Sequence, residues 1–158
     1  MTRALITHWT DYQAAIDQLL AMPCRKLCIY DEDLVKIRLD DRKRLAVLEQ
    51  LLQSAAPGSI RIALRSAEAF RRTQTHLIQL LAPYSHVITI QETSPQLNNL
   101  RDSMIILDDQ HGLIRFDREQ ARSKLLINES DELRPYLQRF EEIWKEPGDI
   151  ISATSLGL

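Results

Sequence analysis

Hydrophobic positions along the chain follow two alternating patterns, helical spacing and short continuous runs. Apolar residues three and four positions apart predict helices, whereas runs of four or five apolar residues predict strands that are covered on both faces. The two patterns alternate through the first half of the chain. The predicted elements are a helix at 11–22, a strand at 27–30, a helix at 41–54, a strand at 60–64, a helix that Ser66 caps and that ends near Pro83, and a strand at 87–90.

The second half of the chain is organised around two apolar runs that a polar turn separates. Met104–Leu107 and Leu113–Phe116 flank a turn that contains Gly112, and this pattern predicts a β-hairpin. A strand at 125–127 follows, and an apolar stripe at helical spacing over 133–144 predicts a closing helix. Elements that alternate early, followed by strands gathered late, predict an α/β fold with a mixed sheet of about six strands sandwiched by helices.

These elements fit one domain. A chain of 158 residues with 44% hydrophobic side chains can bury one substantial core. We therefore predict a single α/β domain over residues 1–146, with an N-terminal helix at 11–22 and the core at 24–146. Residues 147–158 show little periodicity and are predicted to form a flexible C-terminal tail.

Charge and composition narrow the classes of function. The net charge is -2, with 20 basic and 22 acidic side chains, so no global field attracts nucleic acid or an anionic membrane. Cys24 and Cys28 have no neighbouring histidine to complete a metal site, which predicts free thiols in a reducing compartment. With no apolar signal core and no membrane-spanning window, we expect a cytoplasmic protein. The few glycines and scattered histidines favour neither a nucleotide loop nor a zinc site, so no cofactor is predicted.

The predicted hairpin and its surroundings resemble a phospholipase D-like domain. The element order, an apolar strand that ends in Asp108, and a final helix with the sequence Phe-Glu-Glu-Ile-Trp carry this resemblance. Such domains place the motif His-x-Lys-x-x-x-x-Asp on the hairpin, and on this chain its three positions fall on Arg101, Ser103 and Asp108. More narrowly, residues 24–146 are similar to an uncharacterised, degenerate bacterial domain that in some proteins accompanies a GNAT-type acetyltransferase.

The resemblance implies the fold of this family without its catalysis. In the family the histidine is the nucleophile and the lysine holds the phosphoryl oxygens, but Arg101 stays protonated and Ser103 carries no charge. The resemblance therefore implies a non-catalytic binding or assembly module, with an acetyltransferase-type domain as a candidate partner. Single-motif members of the group build one site from two chains, so a homodimer is also expected.

A candidate anion site lies around the degenerate motif. Arg101 takes the nucleophile's position, where it would hold an anion or pair with an acid such as Asp108. An ordinary exposed arginine at the start of a strand is the alternative interpretation. The candidate ligand-binding residues are Arg65, Arg101, Asp108 and Arg115.

Clusters of arginine raise a further alternative, phosphate or nucleic-acid binding. The basic residues gather at 42–44, at Arg71 and Arg72, and at Arg115, Arg118 and Arg122, and this alternative assigns the binding to Arg101 together with Arg71 and Arg72. Two clusters brought together by folding would offer a surface for phosphates. Aromatic residues make up only 6% of the chain and do not alternate with the arginines, which argues against stacking on single strands and against nucleic acid as a partner.

A second resemblance lies where the first predicted strand ends. Residues 28–35 resemble the first motif of the magnesium-dependent haloacid dehalogenase-type phosphatases, which implies Asp31 as nucleophile and Asp33 as general acid/base. Ser66 follows the second strand as that family's second motif requires, and Asp108 would supply an acid for magnesium. No lysine lies between Ser66 and Asp108 to neutralise a phosphoaspartate, so a solvated acidic loop is the competing interpretation.

Overall fold

Apolar runs form the strands and apolar stripes form the helices of the computed structural model, which describes residues 1–146 and 148–151. The strands are β1 (Thr2–Ile6), β2 (Leu27–Asp31), β3 (Ile60–Leu64), β4 (Ile88–Glu92), β5 (Ser103–Leu107), β6 (His111–Arg115) and β7 (Ser123–Ile127). The helices are α1 (Trp9–Leu20), α2 (Arg42–Ser54), α3 (Ala67–Thr73), α4 (Thr75–Leu81) and α5 (Ser130–Lys145). None of these described helices is both long and apolar enough to cross a bilayer.

The seven strands lie in one mixed sheet with the order β1-β7-β6-β5-β2-β3-β4. β2, β3 and β4 are parallel, whereas the other neighbours, including the β5–β6 hairpin, pair antiparallel. The predicted fold class is therefore confirmed, with parallel pairs first and the hairpin later. The strand that the apolar pattern does not predict is β1, because Thr2, Arg3 and Leu5 are exposed and leave no continuous apolar run.

Helices cover both faces of this sheet. α1 to α4 pack on one face, and α5 packs on the other. Successive residues of a strand point to opposite faces, so Ile29 and Asp31 face α1 to α4, whereas Tyr30 faces α5. The end of β2 therefore presents one side chain to each layer of helices.

The predicted helix from Ser66 to Pro83 is in fact two helices that meet at Gln74. Ser66 caps α3 as predicted, since its hydroxyl accepts the Ala69 N–H at 3.3 Å. Asp40, far away in the chain, accepts the Leu77 N–H at 2.6 Å and satisfies the start of α4. A separate cap supplied by a distant loop allows a new helix to begin here, and no local pattern predicts such a contact.

Residues 148–151 lie along β4, although the sequence assigns them to a flexible tail. The carbonyl of Asp149 accepts the Glu92 N–H at 2.7 Å, and the Ile151 N–H donates to the Ile90 carbonyl at 2.8 Å. Ile151 is buried against the core beneath α1 to α4. The described domain therefore extends to Ile151, and the rest of the predicted tail, residues 147 and 152–158, lies outside the described residues.

α5 is held to the sheet by a clamp around Arg61 of β3. Its guanidinium lies 5.0 Å from the ring centre of Phe140 and 5.4 Å from that of Trp144. The same group donates to the two carboxylate oxygens of Glu141 at 2.5 and 3.1 Å. The hydrogen bond from Arg61 lowers the pKa of Glu141 below its ordinary value of 4.5.

Replacing Glu141 by glutamine is expected to give a pH-dependent loss of stability. Because the pKa of Glu141 is lower in the folded state, its contribution is present above the unfolded value and is lost as the pH falls through the folded value. The Glu141 side chain is 41% exposed, so the loss at pH 7 should stay below about 1 kcal/mol. Urea unfolding of both proteins at pH 7 and pH 3 checks this, and an unchanged difference at pH 3 would contradict it.

Candidate functional site

β2, β3 and β4 end at one edge of the sheet, which we call the carboxyl edge. Because β5 runs antiparallel to β2, its first residue, Ser103, lies at the same edge, and Arg115 at the end of β6 is paired with Ser103. Asp31 ends β2, Arg65 follows β3, and Arg101 lies just before β5. The fold thus brings four of the sequence-predicted site residues to the carboxyl edge.

Asp108 lies at the opposite edge, so it does not join Arg101 as predicted. The five residues of β5 separate the two positions. Asp108 is in the hairpin turn with a φ of 53°, and its carboxylate accepts the backbone N–H groups of Arg25 at 2.8 Å and Lys26 at 2.9 Å. Asp108, the one residue that matches the phospholipase D-like motif, therefore holds the hairpin turn to the segment before β2 through hydrogen bonds.

Asp31 and Arg115 form a buried ion pair at the carboxyl edge. Their closest nitrogen and oxygen atoms are 2.6 Å apart, and each side chain is only 1% exposed. The Arg115 guanidinium also lies 5.5 Å from the ring centre of Trp9 and 5.1 Å from that of Tyr12, both on α1. Arg115 is therefore closed off from solvent and is not available to a ligand, contrary to its prediction as a ligand-binding residue.

The predicted phosphatase site does not assemble. The second carboxylate oxygen of Asp31 accepts the N–H groups of Asp33 at 3.2 Å and Leu34 at 2.7 Å, so a nucleophile's lone pairs are not free. Ser66 caps α3, and Asp108 lies at the other edge. No three His, Cys, Asp or Glu side chains of residues 1–146 and 148–151 are grouped for a metal ion.

Of the two positions that the phospholipase D-like motif assigns to its nucleophile and lysine, one is paired with a carboxylate and the other is buried. Arg101 is exposed and donates from Nε to Asp117 at 2.7 Å, and this hydrogen bond lowers the pKa of Asp117. Ser103 is 1% exposed and lies on the sheet face that α1 to α4 cover. Arg101 is therefore occupied by a carboxylate and Ser103 is covered, so neither side chain offers a free group to a phosphodiester.

Arg65 differs from the other guanidinium groups at this edge. It donates to Thr93 Oγ1 at 2.6 Å and to Asn98 Oδ1 at 2.5 Å, both uncharged acceptors. No ion pair among the described residues includes Arg65. The arginines of the same region that do pair with carboxylates are Arg101 with Asp117, Arg115 with Asp31, Arg118 with Glu32 and Arg139 with Asp102.

Tyr30 lies next to Arg65 on the α5 face of the sheet. Its side chain is fully buried, and its hydroxyl has no hydrogen-bond partner among the described residues. Burial raises the pKa of Tyr30, Asp102 raises it further, and Arg65 and Arg139 lower it. The hydroxyl therefore stays protonated at neutral pH and remains a neutral donor beside two guanidinium groups. The observation that suits an anion is therefore the Arg65 guanidinium itself, which has no carboxylate partner among the described residues.

Sequence reasoning did not single out Tyr30, Thr93, Asn98 or Arg139. Each is an ordinary residue of a strand, loop or helix. The fold brings Thr93 and Asn98 to Arg65, and Arg139 to Asp102 in the same region. The available signal was positional, since Tyr30, Arg65 and Thr93 each lie within one residue of the end of a parallel strand. Ligands of open α/β sheets bind outside these ends, so polar residues at such positions indicate a candidate site.

Comparison with known proteins places the chain in a family. The sequence profile of DUF7931, a domain of unknown function, matches residues 8–151. The chain belongs to this family. No curated protein matches it by sequence.

Solved structures share the fold of this DUF7931 domain. It resembles Nuc from Salmonella typhimurium, a phospholipase D family member, with a TM-score of 0.57, 12% identity and coverage of 96% of this chain and 99% of Nuc. It resembles NucT from Helicobacter pylori with a TM-score of 0.60, 9% identity and coverage of 94% and 98%. These likenesses confirm the phospholipase D-like fold that the sequence predicted.

A further structural relative is a DNA-binding protein. TrmBL2, an archaeal chromatin protein with a novel mode of DNA binding, superposes with a TM-score of 0.69 and 11% identity over 96% of this chain. The chain spans about half the length of that protein, 55%. At this level of identity the likeness establishes the fold alone.

Proposed function

We propose that the chain is a non-catalytic, phosphate-type anion-binding module on a phospholipase D-like fold, with Arg65 as the residue that holds the anion. The observation that carries the proposal is the half-buried Arg65 guanidinium, whose partners among the described residues are uncharged, at an edge where neighbouring arginines are neutralised. Planar guanidinium groups bind phosphate oxygens through two parallel hydrogen bonds.

The environment of Arg65 leaves its positive charge available to an anion from solution. A cation kept partly out of water is costly unless an opposite charge accompanies it. Thr93 and Asn98 orient the guanidinium without neutralising it, so the positive charge stays available. An incoming phosphate would supply that charge and several acceptor oxygens.

Two features support the absence of phosphodiesterase chemistry. The nucleophile's position holds Arg101, which has no free lone pair and is paired with Asp117. The lysine's position holds Ser103, which is buried. His8 follows β1, which ends at the carboxyl edge, so its removal serves as a test for residual hydrolysis.

Replacing Arg65 by glutamine is expected to lower the affinity for inorganic phosphate by about tenfold or more. Loss of a charge-assisted hydrogen bond carries a free-energy cost of this size. Titration of inorganic phosphate, followed by calorimetry and by amide NMR shifts, measures the affinity. Arg101→Gln is the matched control, since it removes an arginine of the same edge that is already paired, and it should change the affinity less than about twofold. Equal binding by wild type and Arg65→Gln, or no binding by wild type, would refute the anion site.

The non-catalytic part of the proposal has its own test. Hydrolysis of bis(4-nitrophenyl) phosphate by the wild-type chain should not exceed the uncatalysed rate. A phospholipase D family nuclease serves as the positive control. Turnover that copurifies with the chain and disappears in His8→Ala or Arg101→Ala would overturn this part, while leaving the phosphate titration to decide the binding site.

Two partner predictions accompany the proposal. The first is an acetyltransferase-type domain, which copurification of the two proteins after coexpression would test. The second is a second copy of the chain, for which the resemblance to single-motif phospholipase D-like proteins predicts one site shared between two chains. A cytoplasmic location also remains a prediction, and fractionation of the source cells would test it.

A further inference from the structure

β1 forms one end of the sheet, and β7 is its neighbour. The side of β1 away from β7 therefore carries backbone donors and acceptors without a strand partner among the described residues. The other end of the sheet is different, because residues 149–151 are hydrogen-bonded along β4. Within residues 1–146 and 148–151, the chain covers one edge of its sheet with its own backbone and leaves the β1 edge open.

β1 carries little of the protection that an open edge normally has. Such strands usually carry charged residues, above all lysine, a proline or a bulge, or are covered by another segment. The one charged residue of β1 is Arg3, and its charge is balanced by Glu129 and Glu132. β1 reads Thr-Arg-Ala-Leu-Ile, pairs with β7 in regular register and contains neither lysine nor proline. Its Leu5 is 63% exposed, the most exposed large apolar side chain in any described strand. An exposed apolar residue on an unpaired edge is the combination that favours pairing with another strand.

The charge of Arg3 is compatible with a close partner. Its Nε lies 2.8 Å from a carboxylate oxygen of Glu132 and 3.2 Å from one of Glu129, so the charge is balanced within the same chain. Arg3 and Leu5 point to the same face of the sheet, because they are two residues apart in one strand. The face of β1 thus offers one balanced cation and one apolar side chain side by side.

We infer that β1 pairs antiparallel with β1 of a second copy, centred on Ala4, to give one continuous sheet across the two chains. This register pairs all five residues of the strand. It places Arg3 of each copy opposite Leu5 of the other, so Leu5 packs on the aliphatic part of Arg3 and the two arginines do not face each other. A register centred on Arg3 would set the two like charges directly opposite and pair fewer residues.

The pairing keeps the two anion sites apart. In each copy β1 ends at the carboxyl edge, since Ile6 pairs with Ser123 and Ser123 pairs with Arg115. Antiparallel pairing relates the two copies by a rotation of 180° about an axis normal to the sheet. The sheet keeps its faces, and the two carboxyl edges point in opposite directions. Each copy then retains a complete Arg65 site, unlike the shared site that the family resemblance predicts.

Cysteine crosslinking tests the register directly. Ala4→Cys would stand opposite itself across the two-fold axis, within the separation of about 4.5–5.5 Å that paired antiparallel residues have and that a disulfide needs. Thr2→Cys is the matched control, because four residues along the strand separate the two copies of Thr2 by about 13 Å. In a Cys24→Ser background, mild oxidation should give a crosslinked dimer with Ala4→Cys and none with Thr2→Cys. Crosslinking of neither variant, or of Thr2→Cys alone, would overturn the inference.

Substitutions at Leu5 separate self-pairing from capture of another protein's strand. Leu5→Arg sets like charges opposite each other and should raise the dimer dissociation constant about tenfold or more, whereas Leu5→Glu sets opposite charges together and should change it less than about threefold. Sedimentation equilibrium of the purified chain measures both constants. A wild-type chain that stays monomeric at all concentrations, or equal effects of the two substitutions, would refute the two-fold pairing. Phosphate titration of Leu5→Arg should be unchanged, so failure of the dimer leaves the Arg65 site to its own test.

Discussion

Replacing Arg115 by methionine is expected to lower the free energy of unfolding by about 3–5 kcal/mol, because it leaves a buried carboxylate without its counter-ion. Asp31 is 1% exposed, and its bond to Arg115 is 2.6 Å long. The two N–H groups that the other Asp31 oxygen accepts cannot replace a full positive charge. The variant also loses the contacts of the guanidinium with the rings of Trp9 and Tyr12.

Urea unfolding, followed by far-UV circular dichroism, measures this loss. The double variant Asp31→Asn/Arg115→Met removes both charges, so it should recover part of the stability that Arg115→Met loses. Arg101→Met is the matched control, since its pair with Asp117 is exposed, and the change there should stay below about 1 kcal/mol. An Arg115→Met variant as stable as Arg101→Met would contradict the expected cost of breaking the buried Asp31–Arg115 ion pair.

Asp108→Ala is the second substitution with a large expected effect, a loss of about 2–3 kcal/mol. The carboxylate accepts the N–H groups of Arg25 and Lys26, and alanine leaves both without this acceptor. The backbone of Asp108 has a φ of 53°, where aspartate is tolerated better than alanine. The β5–β6 hairpin and β2 should therefore separate more easily in this variant.

Three further variants divide the Asp108 effect into its parts. Asp109 has a similar φ of 58° but holds only the exposed end of Lys26, so Asp109→Ala should show mainly the backbone cost, about 1 kcal/mol. Asp108→Gly removes that cost and keeps the loss of the acceptor, and Asp108→Asn keeps one acceptor oxygen. Phosphate affinity should be unchanged in Asp108→Ala, because this residue lies at the edge opposite Arg65. A large fall in phosphate affinity, with the free energy of unfolding unchanged, would show instead that Asp108 contributes to phosphate binding.

Local sequence patterns account for most of the elements. Continuous apolar runs predicted β2, β3 and the hairpin strands because strands covered by helices on both faces bury every residue, as β2 and β5 do. The Ser66 cap was predictable because a cap bonds to an N–H three residues away. The apolar pattern could not predict β1, because this edge strand is largely exposed and contains no continuous apolar run.

Contacts with distant residues account for the departures from these predictions. The break at Gln74 depends on Asp40, which reaches α4 from another loop. Residues 148–151 become ordered backbone through hydrogen bonds to β4, and no property of their own sequence requires it. Each case involves a bond between segments that only the folded chain brings together.

For the site, the sequence by itself determined which ionisable residues follow or precede the strands, including Asp31, Arg65 and Arg101. It could not determine which of them pair. Asp31 and Arg115 are 84 residues apart and became partners because β5 lies between β2 and β6 and reverses direction. The same strand order sends Asp108 to the far edge and leaves Arg65 with uncharged neighbours. Periodicity and capping are local properties of the chain, whereas charge pairing depends on distances that only strand order and register fix.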